Sequence, residues 1–210
     1  MNTVQFDPKW LKGAAVCAGV KDIRYYLNGV LVDVRERETR IVATDGHRLV
    51  CFRRELPENE PAQVPAQLII PGDVVKALKP NKAGNECVLQ WETTEANEQH
   101  CKLIGLAGPD LSFTALDGKF PDYERVLIRT APTLAHAHFN GRYVADMSKA
   151  VQVAFDQNFN AEIWPSSTSA AAVTCPRQEF YGTIMPMRGS EEFTLPAWMG
   201  EIQQPLKAVA

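Results

Sequence analysis

The sequence has 210 residues, a formal net charge of −3 and a hydrophobic fraction of 45%, which is typical of a globular chain with one or two domains. No apolar run approaches the roughly 18 residues that a membrane span requires, and the first residues lack the pattern of a signal peptide. These observations predict a cytoplasmic protein with no membrane partner.

The cysteines and histidines show neither a disulfide pattern nor a metal-binding pattern. The five cysteines are odd in number, scattered, and free of any Cys-x-x-Cys pair. They are Cys17, Cys51, Cys87, Cys101 and Cys175. Such spacing favours free thiols in a reducing compartment, and the four histidines lack metal-ligand spacing. The sequence therefore predicts no metal site and no bound cofactor.

The chain begins with a strand, a helix and three further strands. Residues 3–6 form a short apolar strand, and Asp7-Pro8 supplies a good N-cap and first helical residue. The helix carries one apolar stripe, made of Trp10, Leu11, Ala14, Ala15 and Ala18. The three strands are predicted over residues 27–34, 40–45 and 47–53. The proline- and glutamate-rich stretch 56–65 is predicted to be a linker.

The same order of elements occurs twice more, and we call each strand–helix–three-strand set a unit. In the second unit, Pro71-Gly72-Asp73 opens a helix that Pro80 stops. Its strands are predicted over residues 67–70, 86–91, 102–107 and 111–115. The third unit is predicted to have a helix over 141–155 and strands over 135–139, 161–164, 170–175 and 180–185.

The spacing of the helices indicates that one unit has been duplicated. The helix starts at Pro8, Pro71 and Gly141 are 63 and 70 residues apart. Each pattern is weak alone, but three in the same order indicate a repeat. The predicted fold class is α+β, with antiparallel sheets and with the helices on one face.

A polar stretch around Asp45, His47 and Arg48 allows two interpretations. An Asp–His pair could orient a catalytic base. An Asp-Gly turn between two strands has the same composition, and no serine or cysteine nucleophile stands in a recognisable signature. The turn is the favoured interpretation, and the sequence predicts a protein that is not an enzyme.

The charge pattern leaves a second pair of interpretations open. The three predicted helices carry net charges of +2, +1 and +1, so the remainder of this −3 chain carries −7. Helices grouped on one face could offer a basic surface to a phosphate backbone. Lysine and arginine are also ordinary surface residues of helices, and charge alone does not separate these two explanations.

Three motifs resemble the bacterial DNA polymerase III beta subunit, the sliding clamp. RYYLNGVLVDV and RIVATDGHRLV, residues 24–34 and 40–50, resemble its middle domain. DGKFPDYERVL, residues 117–127, resembles its connector between the second and third domains, and FYGTIMPMR, residues 180–188, resembles its last strand. The resemblance implies the clamp-type fold of repeated units.

The resemblance is partial. A full clamp subunit has three domains of two units each and closes a ring as a dimer, whereas this chain has three units. The resemblance implies one complete domain over residues 1–120, half of another over 121–188, and an extension over 189–210. The first domain and the first half of the third are missing, so ring closure does not transfer by analogy.

The family's peptide-binding cleft lies between its second and third domains. The resemblance implies that residues of three segments form this cleft here. They are Leu27, Thr44, Gly46, His47, Arg48 and Leu49; Pro121, Arg125 and Val126; and Thr183, Ile184, Met185, Pro186, Met187 and Arg188. Apolar and methionine side chains suit peptides that carry leucine and phenylalanine. The histidine and the arginines suit hydrogen bonds to the peptide.

The resemblance also implies a DNA-binding surface and partners. The residues expected to approach duplex DNA are Lys9, Lys12, Arg24, Tyr25, Tyr26, Lys76, Lys79 and Lys149. The expected partners are polymerase or clamp-loader subunits, DNA of any sequence, and further copies of the chain. The implied function is a processivity clamp, and the alternative is a decoy or adaptor that uses the cleft without encircling DNA.

Two further expectations follow from the odd number of units. The apolar face of the third helix, with Val144, Met147, Val151 and Phe155, is expected to be left open and to pair with a second copy. The extension 189–210 is rich in apolar residues. It is expected to cover the surface of the missing half-domain or to lie in the cleft, with Gln203 and Leu206 imitating a peptide.

Overall fold

A computed structural model describes residues 1–82, 86–129, 137–166 and 170–189. The strands are β1 Asn2–Phe6, β2 Gly29–Val34, β3 Glu38–Thr44, β4 Arg48–Glu55, β5 Ala66–Pro71, β6 Cys87–Thr93, β7 Gln99–Ile104, β8 Leu111–Thr114, β9 Glu162–Trp164, β10 Ala171–Thr174 and β11 Phe180–Ile184. The helices are α1 Pro8–Ala15, α2 Gly72–Ala77 and α3 Gly141–Phe155. Two short 3₁₀ helices span Tyr25–Asn28 and Tyr123–Val126.

The strands form two antiparallel sheets. One sheet has the order β1-β6-β7-β8, and the other has the order β5-β2-β3-β4-β11-β10-β9. Units one and two exchange their first strands, because β1 pairs with β6 of unit two and β5 pairs with β2 of unit one. This exchange binds the two units into one body.

Unit three joins this body through its last strand. β11 pairs with β4 in a register that runs from Phe180 opposite Phe52 to Ile184 opposite Arg48. The larger sheet is therefore continuous from unit one into unit three. Segments 128 to 136 residues apart in sequence become neighbours along this junction.

The three helices lie on one face of the larger sheet, as the sequence predicts. α1 contacts β2, β3 and β4, α2 contacts β2 and β5, and α3 contacts β4 and β11. Asp7 is the N-cap of α1, as predicted, because its side chain accepts a 2.9 Å hydrogen bond from the backbone N–H of Lys9. The helix ends at Ala15, so Ala18 lies beyond it.

The expectation that the apolar face of α3 is left open is wrong. Met147 and Val151 are fully buried, while Val144 and Phe155 are half-buried against the main core of the same chain. α3 packs on α1, and Gly13 marks their crossing, since a Cβ there would stand 2.7 Å from the Ala150 carbonyl oxygen. The neighbouring unit one supplies the cover that we expected from a second copy.

The opposite face of the larger sheet carries a second, smaller core. Alternate residues of the strands point to opposite faces, so Val30 and Val32 face the helices while Leu31 faces away. The connector, residues 117–127, crosses this second face. The second core consists of Leu27, Leu31, Val42, Leu49, Cys51, Ile69, Phe120 and Tyr123.

Several predicted boundaries shift. The strand predicted over 40–45 begins at Glu38, and the one predicted over 102–107 is Gln99–Ile104. Leu27 belongs to a 3₁₀ helix instead of a strand. The strand predicted over 135–139 lies partly outside the described residues, and within it His138 makes a single bridge to Met187. The extension lies outside them from residue 190 onward.

Candidate functional site

The stretch 44–49 is a tightly hydrogen-bonded turn. The Asp45 carboxylate accepts the backbone N–H groups of His47 at 2.9 Å and Arg48 at 3.1 Å. Thr44 donates its hydroxyl to the Arg48 carbonyl at 2.7 Å, and Gly46 has the positive φ of +91° that the turn requires. The Asp45 carboxylate thus acts as a backbone cap, and His47 is largely exposed. This geometry is that of a structural turn.

Arg48 connects this turn to the helices. Its side chain is buried, forms an ion pair with Asp146 of α3, and donates a 3.2 Å hydrogen bond to the Val16 carbonyl near the end of α1. The guanidinium also lies 4.6 Å from the centre of the Tyr143 ring, a favourable cation–π contact. These contacts hold the Arg48 guanidinium within the chain, at the edge of the cavity described below.

The connector is fixed to the sheet by a buried polar network. Tyr123 donates a 2.6 Å hydrogen bond to the Asp33 carboxylate. Arg35 donates a 2.8 Å hydrogen bond to the Tyr123 hydroxyl oxygen and a 2.7 Å hydrogen bond to the Asp33 carboxylate. Arg35 also forms a 2.5 Å ion pair with Glu124. Burial and the hydrogen bond to Asp33 raise the pKa of the Tyr123 phenol, so it remains a neutral donor at physiological pH.

A cavity of about 200 Å³ lies between the turn, the connector and the end of β11. It is lined by Arg24, Leu27, Thr44, Gly46, His47, Arg48, Leu49, Pro121, Asp122, Tyr123, Val126, Thr183 and Met185. All but three of these were expected cleft residues. Apolar side chains at its base and polar groups at its rim form the arrangement that binds a short peptide with apolar side chains.

The three other lining residues were not assigned to the cleft from the sequence. Arg24 was expected at DNA, and it pairs with Asp22 at 2.7 Å and donates to the Asp45 carbonyl. Asp122 and Tyr123 stand in the connector motif beside the expected residues. The sequence did contain a signal that could have pointed to Tyr123. Asp33 stands between Val32 and Val34 in a buried strand, and a buried acidic residue needs a polar partner.

Five expected cleft residues do not line the cavity. Ile184 is fully buried in the main core on the helix side, which corrects its assignment. The Arg125 side chain is 84% exposed and pairs with Asp122 at 2.8 Å. The backbone N–H of Met187 donates to the His138 carbonyl at 2.7 Å. Pro186 and Arg188, on either side of Met187, are exposed as well.

A larger depression of about 710 Å³ lies elsewhere, but it is an open surface. It is formed by residues 33–38 and 65–67, including charged residues of the β2–β3 loop. Arg35 and Glu38 there form an ion pair with each other, and both have further partners. The smaller cavity is the better candidate because its apolar base is enclosed by three separate segments.

The lysines expected at DNA fall into two groups. Lys9 is buried and forms an ion pair with Asp156, so its assignment is corrected. Lys12 is half-buried and donates a 2.8 Å hydrogen bond to the Lys76 carbonyl, and burial lowers the pKa of its ammonium group. The exposed members on the helices and just after α2 are Lys76, Lys79 and Lys149.

The expected DNA contacts Arg24, Tyr25 and Tyr26 lie beside the cavity, the connector and the second core. Arg24 lines the cavity, and Tyr26 packs against the second core on the far face of the larger sheet. Tyr25 is about half exposed, with its hydroxyl beside Gly118 of the connector. The structure therefore places this group with the connector.

Two negative findings apply to the described part of the chain. Among residues 1–82, 86–129, 137–166 and 170–189, no group of three or more histidine, cysteine, aspartate or glutamate side chains could hold a metal ion. No helix in the same ranges is both long and apolar enough to cross a membrane.

Comparison with solved structures gives the class of the fold. The structure of the DNA polymerase III subunit beta from Pseudomonas aeruginosa matches with a TM-score of 0.65 and 21% identity, covering 90% of this chain and 66% of that one. The beta subunit from Thermotoga maritima matches with a TM-score of 0.66 and 14% identity, with the same coverage. At these identities the likeness establishes the fold, which is that of a sliding clamp.

Sequence comparison then gives the family. The profile of the DNA polymerase III beta subunit, central domain, matches residues 8–122. The beta sliding clamp of Proteus mirabilis is 36% identical over 110 residues, covering 51% of this chain and 28% of that protein. That of Pseudomonas aeruginosa is 38% identical over 116 residues, covering 52% and 28%.

The chain therefore belongs to the DNA polymerase III beta subunit family. It is a partial clamp, since the matched segment spans 28% of the length of these curated relatives. The predicted α+β fold of clamp-type units is confirmed.

Proposed function

We propose that this chain binds short peptides of replication proteins in the cavity between the turn, the connector and β11, and supports polymerase processivity on DNA. The observation that carries the proposal is the assembly of one apolar cavity from three segments far apart in sequence. Leu49 and Met185 belong to two of these segments and line the same space. The partners would be polymerase or clamp-loader subunits in the cytoplasm, and the chain would act without catalytic residues of its own.

The chemistry of the cavity favours a peptide with one leucine and one phenylalanine. Burying two such side chains contributes roughly 3–6 kcal/mol. Several hydrogen bonds add about 1 kcal/mol each, and ordering the peptide opposes binding. The balance predicts a dissociation constant in the micromolar range.

The experiment is a fluorescence-polarisation titration with a labelled Gln-x-x-Leu-Phe peptide. The double variant Leu49→Ala/Met185→Ala removes apolar wall from two segments and is expected to weaken binding at least tenfold, or about 1.4 kcal/mol. Met187→Ala is the matched control, because this methionine is 54% exposed and does not line the cavity. Equal affinity of the double variant and the wild type would exclude this cavity as the peptide site.

A non-encircling adaptor is the second candidate. It needs the cavity alone, whose lining comes from the described residues of one chain. Both functions use the same cavity, and they differ in DNA retention. A ring remains on a nicked circular duplex at high salt and is released when the circle is cut, whereas an adaptor is not retained on either form.

A further inference from the structure

The Arg48 guanidinium joins the turn beside the cavity to helix α3 of unit three. Arg48 pairs with Asp146 of α3 through Nη1 and donates through Nη2 to the carbonyl of Val16, just after α1. The Arg48 side chain is only 7% exposed. Arginine stays charged in such a site, and a buried charge needs a partner. Asp146 supplies that partner from a different unit.

Asp45 is the second carboxylate close to this guanidinium. Its Oδ1 accepts the backbone N–H groups of His47 and Arg48, and its Oδ2 lies 3.3 Å from Arg48 Nε. Nε is buried and makes no hydrogen bond to any described residue in spite of this short distance. An unsatisfied buried donor is unfavourable. Other contacts must therefore hold the guanidinium where it is.

We propose that Asp146 is a positioning residue for the cavity. By holding the Arg48 guanidinium at α3, it prevents Arg48 from taking Asp45 as its hydrogen-bond partner, and the Asp45 carboxylate stays free to cap the turn. Asp146 does not line the cavity and acts through Arg48. The inference rests on the proposed peptide binding, because its consequence is the shape of the peptide site.

The turn forms a large part of the cavity wall. Thr44, Gly46, His47, Arg48 and Leu49 all line the cavity. Among the described residues, Asp45 and Asp146 are the carboxylates that pair with Arg48, so loss of Asp146 leaves Asp45. Rotation of the guanidinium toward Asp45 would satisfy Nε and draw the carboxylate away from the backbone N–H groups. The turn would then lose its cap, and the cavity wall would move.

Helix α3 presents two groups to Arg48 at once. Tyr143 and Asp146 are three residues apart, so they lie on one face of the helix. The Tyr143 ring centre is 4.6 Å from the guanidinium carbon, while Asp146 binds a terminal nitrogen. Arg142 Nε also lies 3.9 Å from the Asp146 carboxylate, but the Arg142 side chain is 84% exposed. An exposed pair of this kind contributes little, so Arg48 is the partner that matters.

The test replaces Asp146 with asparagine, which keeps the shape and removes the charge. Affinity for the Gln-x-x-Leu-Phe peptide is expected to fall about fivefold in fluorescence polarisation. NMR hydrogen exchange of the backbone amides of residues 47 and 48, which Asp45 caps, is expected to become about tenfold faster. Asp146→Glu restores a carboxylate and should bring the affinity back to within about twofold of the wild type.

Two variants separate positioning from general loosening of α3. Asp156→Asn makes the same chemical change at the other end of α3, where Asp156 pairs with the buried Lys9. Asparagine tolerates the positive φ of +51° at this position. This variant should lower stability but leave the affinity and both exchange rates unchanged. Arg142→Gln removes the exposed partner of Asp146 and should change neither quantity.

The double variant Arg48→Met/Asp146→Asn tests the competition for Asp45 directly. Removing a buried charge together with its partner commonly preserves folding, so this protein remains measurable even if Asp146→Asn alone does not fold. With no guanidinium near Asp45, exchange at residues 47 and 48 is expected to be as slow as in the wild type. Fast exchange in the double variant would overturn the proposal.

The remaining outcomes also decide the role of Asp146. Wild-type affinity and wild-type exchange in Asp146→Asn would show that Asp146 does not position the turn. An equal loss of affinity in Asp156→Asn would assign the effect to the docking of α3 as a whole and would also overturn the proposal. If the wild type binds no peptide, the proposed function fails, and the exchange rates at residues 47 and 48 alone decide the role of Asp146.

Discussion

The hydroxyl of Tyr123 donates a 2.6 Å hydrogen bond to the Asp33 carboxylate, 90 residues away in sequence. Asp33 is buried in β2, and Tyr123 lies in the connector that crosses the outer face of the larger sheet. Because Tyr123 also lines the cavity, this bond fixes the position of one wall. The cavity is therefore shaped by a contact that lies outside the expected cleft residues.

Replacing Tyr123 with phenylalanine tests that bond. The variant keeps the ring but leaves Asp33 with one hydrogen-bond donor fewer in a buried site, which is expected to lower the free energy of unfolding by about 1–2 kcal/mol. Urea denaturation measures the loss. Tyr25→Phe is the control, because Tyr25 is half exposed and should show a change below about 0.5 kcal/mol. Equal stability of both variants would mean that the bond adds nothing.

The ion pair between Arg35 and Glu124 gives the connector a pH dependence. The hydrogen bond from Arg35 holds the pKa of Glu124 below its ordinary value of 4.5. A carboxyl with a lowered folded pKa stabilises the fold above its unfolded pKa, and that contribution disappears as the pH falls through the folded value. The stability difference between the wild type and Glu124→Gln is therefore expected at pH 7 and should shrink as the pH falls below 4.5 and through the folded pKa of Glu124. A difference that is constant across this range would contradict the assignment.

The sequence predicted the order of the elements well because their local signals were strong. Asp7-Pro8 caps α1 as expected, and the Asp-Gly turn at residue 46 forms. Most of the cavity could be located because its residues lie in contiguous motifs. The turn, the connector and the last strand each carry several of them.

The errors concern side-chain partners and strand faces. Lys9 is an ordinary surface residue by sequence, and the ion pair that buries it is made with Asp156, 147 residues away. Ile184 lies between Thr183 and Met185, both of which line the cavity, but successive residues of a strand face opposite sides. Arg48 has its ion-pair partner in α3, which the sequence pattern could not place.

The crossing of α1 and α3 depends on a residue without a side chain. At Gly13 a Cβ would stand 2.7 Å from the Ala150 carbonyl oxygen and 2.9 Å from the Ala154 Cβ. Gly13→Ala is expected to destabilise the protein by about 1–3 kcal/mol through overpacking, although alanine favours helices by about 1 kcal/mol. Gly141→Ala is the control, since nothing lies within 4 Å of its Cβ position. A rise in thermal midpoint for Gly13→Ala would show that the helices can separate at no cost.

Variants of two lysines distinguish a phosphate contact from a structural ion pair. If the helices face DNA, replacing exposed Lys149 with glutamine should remove about one phosphate contact and reduce the slope of log affinity against log salt by about 1. Lys9→Gln should leave that slope unchanged, because the Lys9 ammonium is buried against Asp156, while it lowers the unfolding free energy. Binding to linear duplex is expected to be weak and lost by about 0.2 M salt. A reduced slope in Lys9→Gln, or an unchanged slope in Lys149→Gln, would place the DNA on a different surface of the molecule.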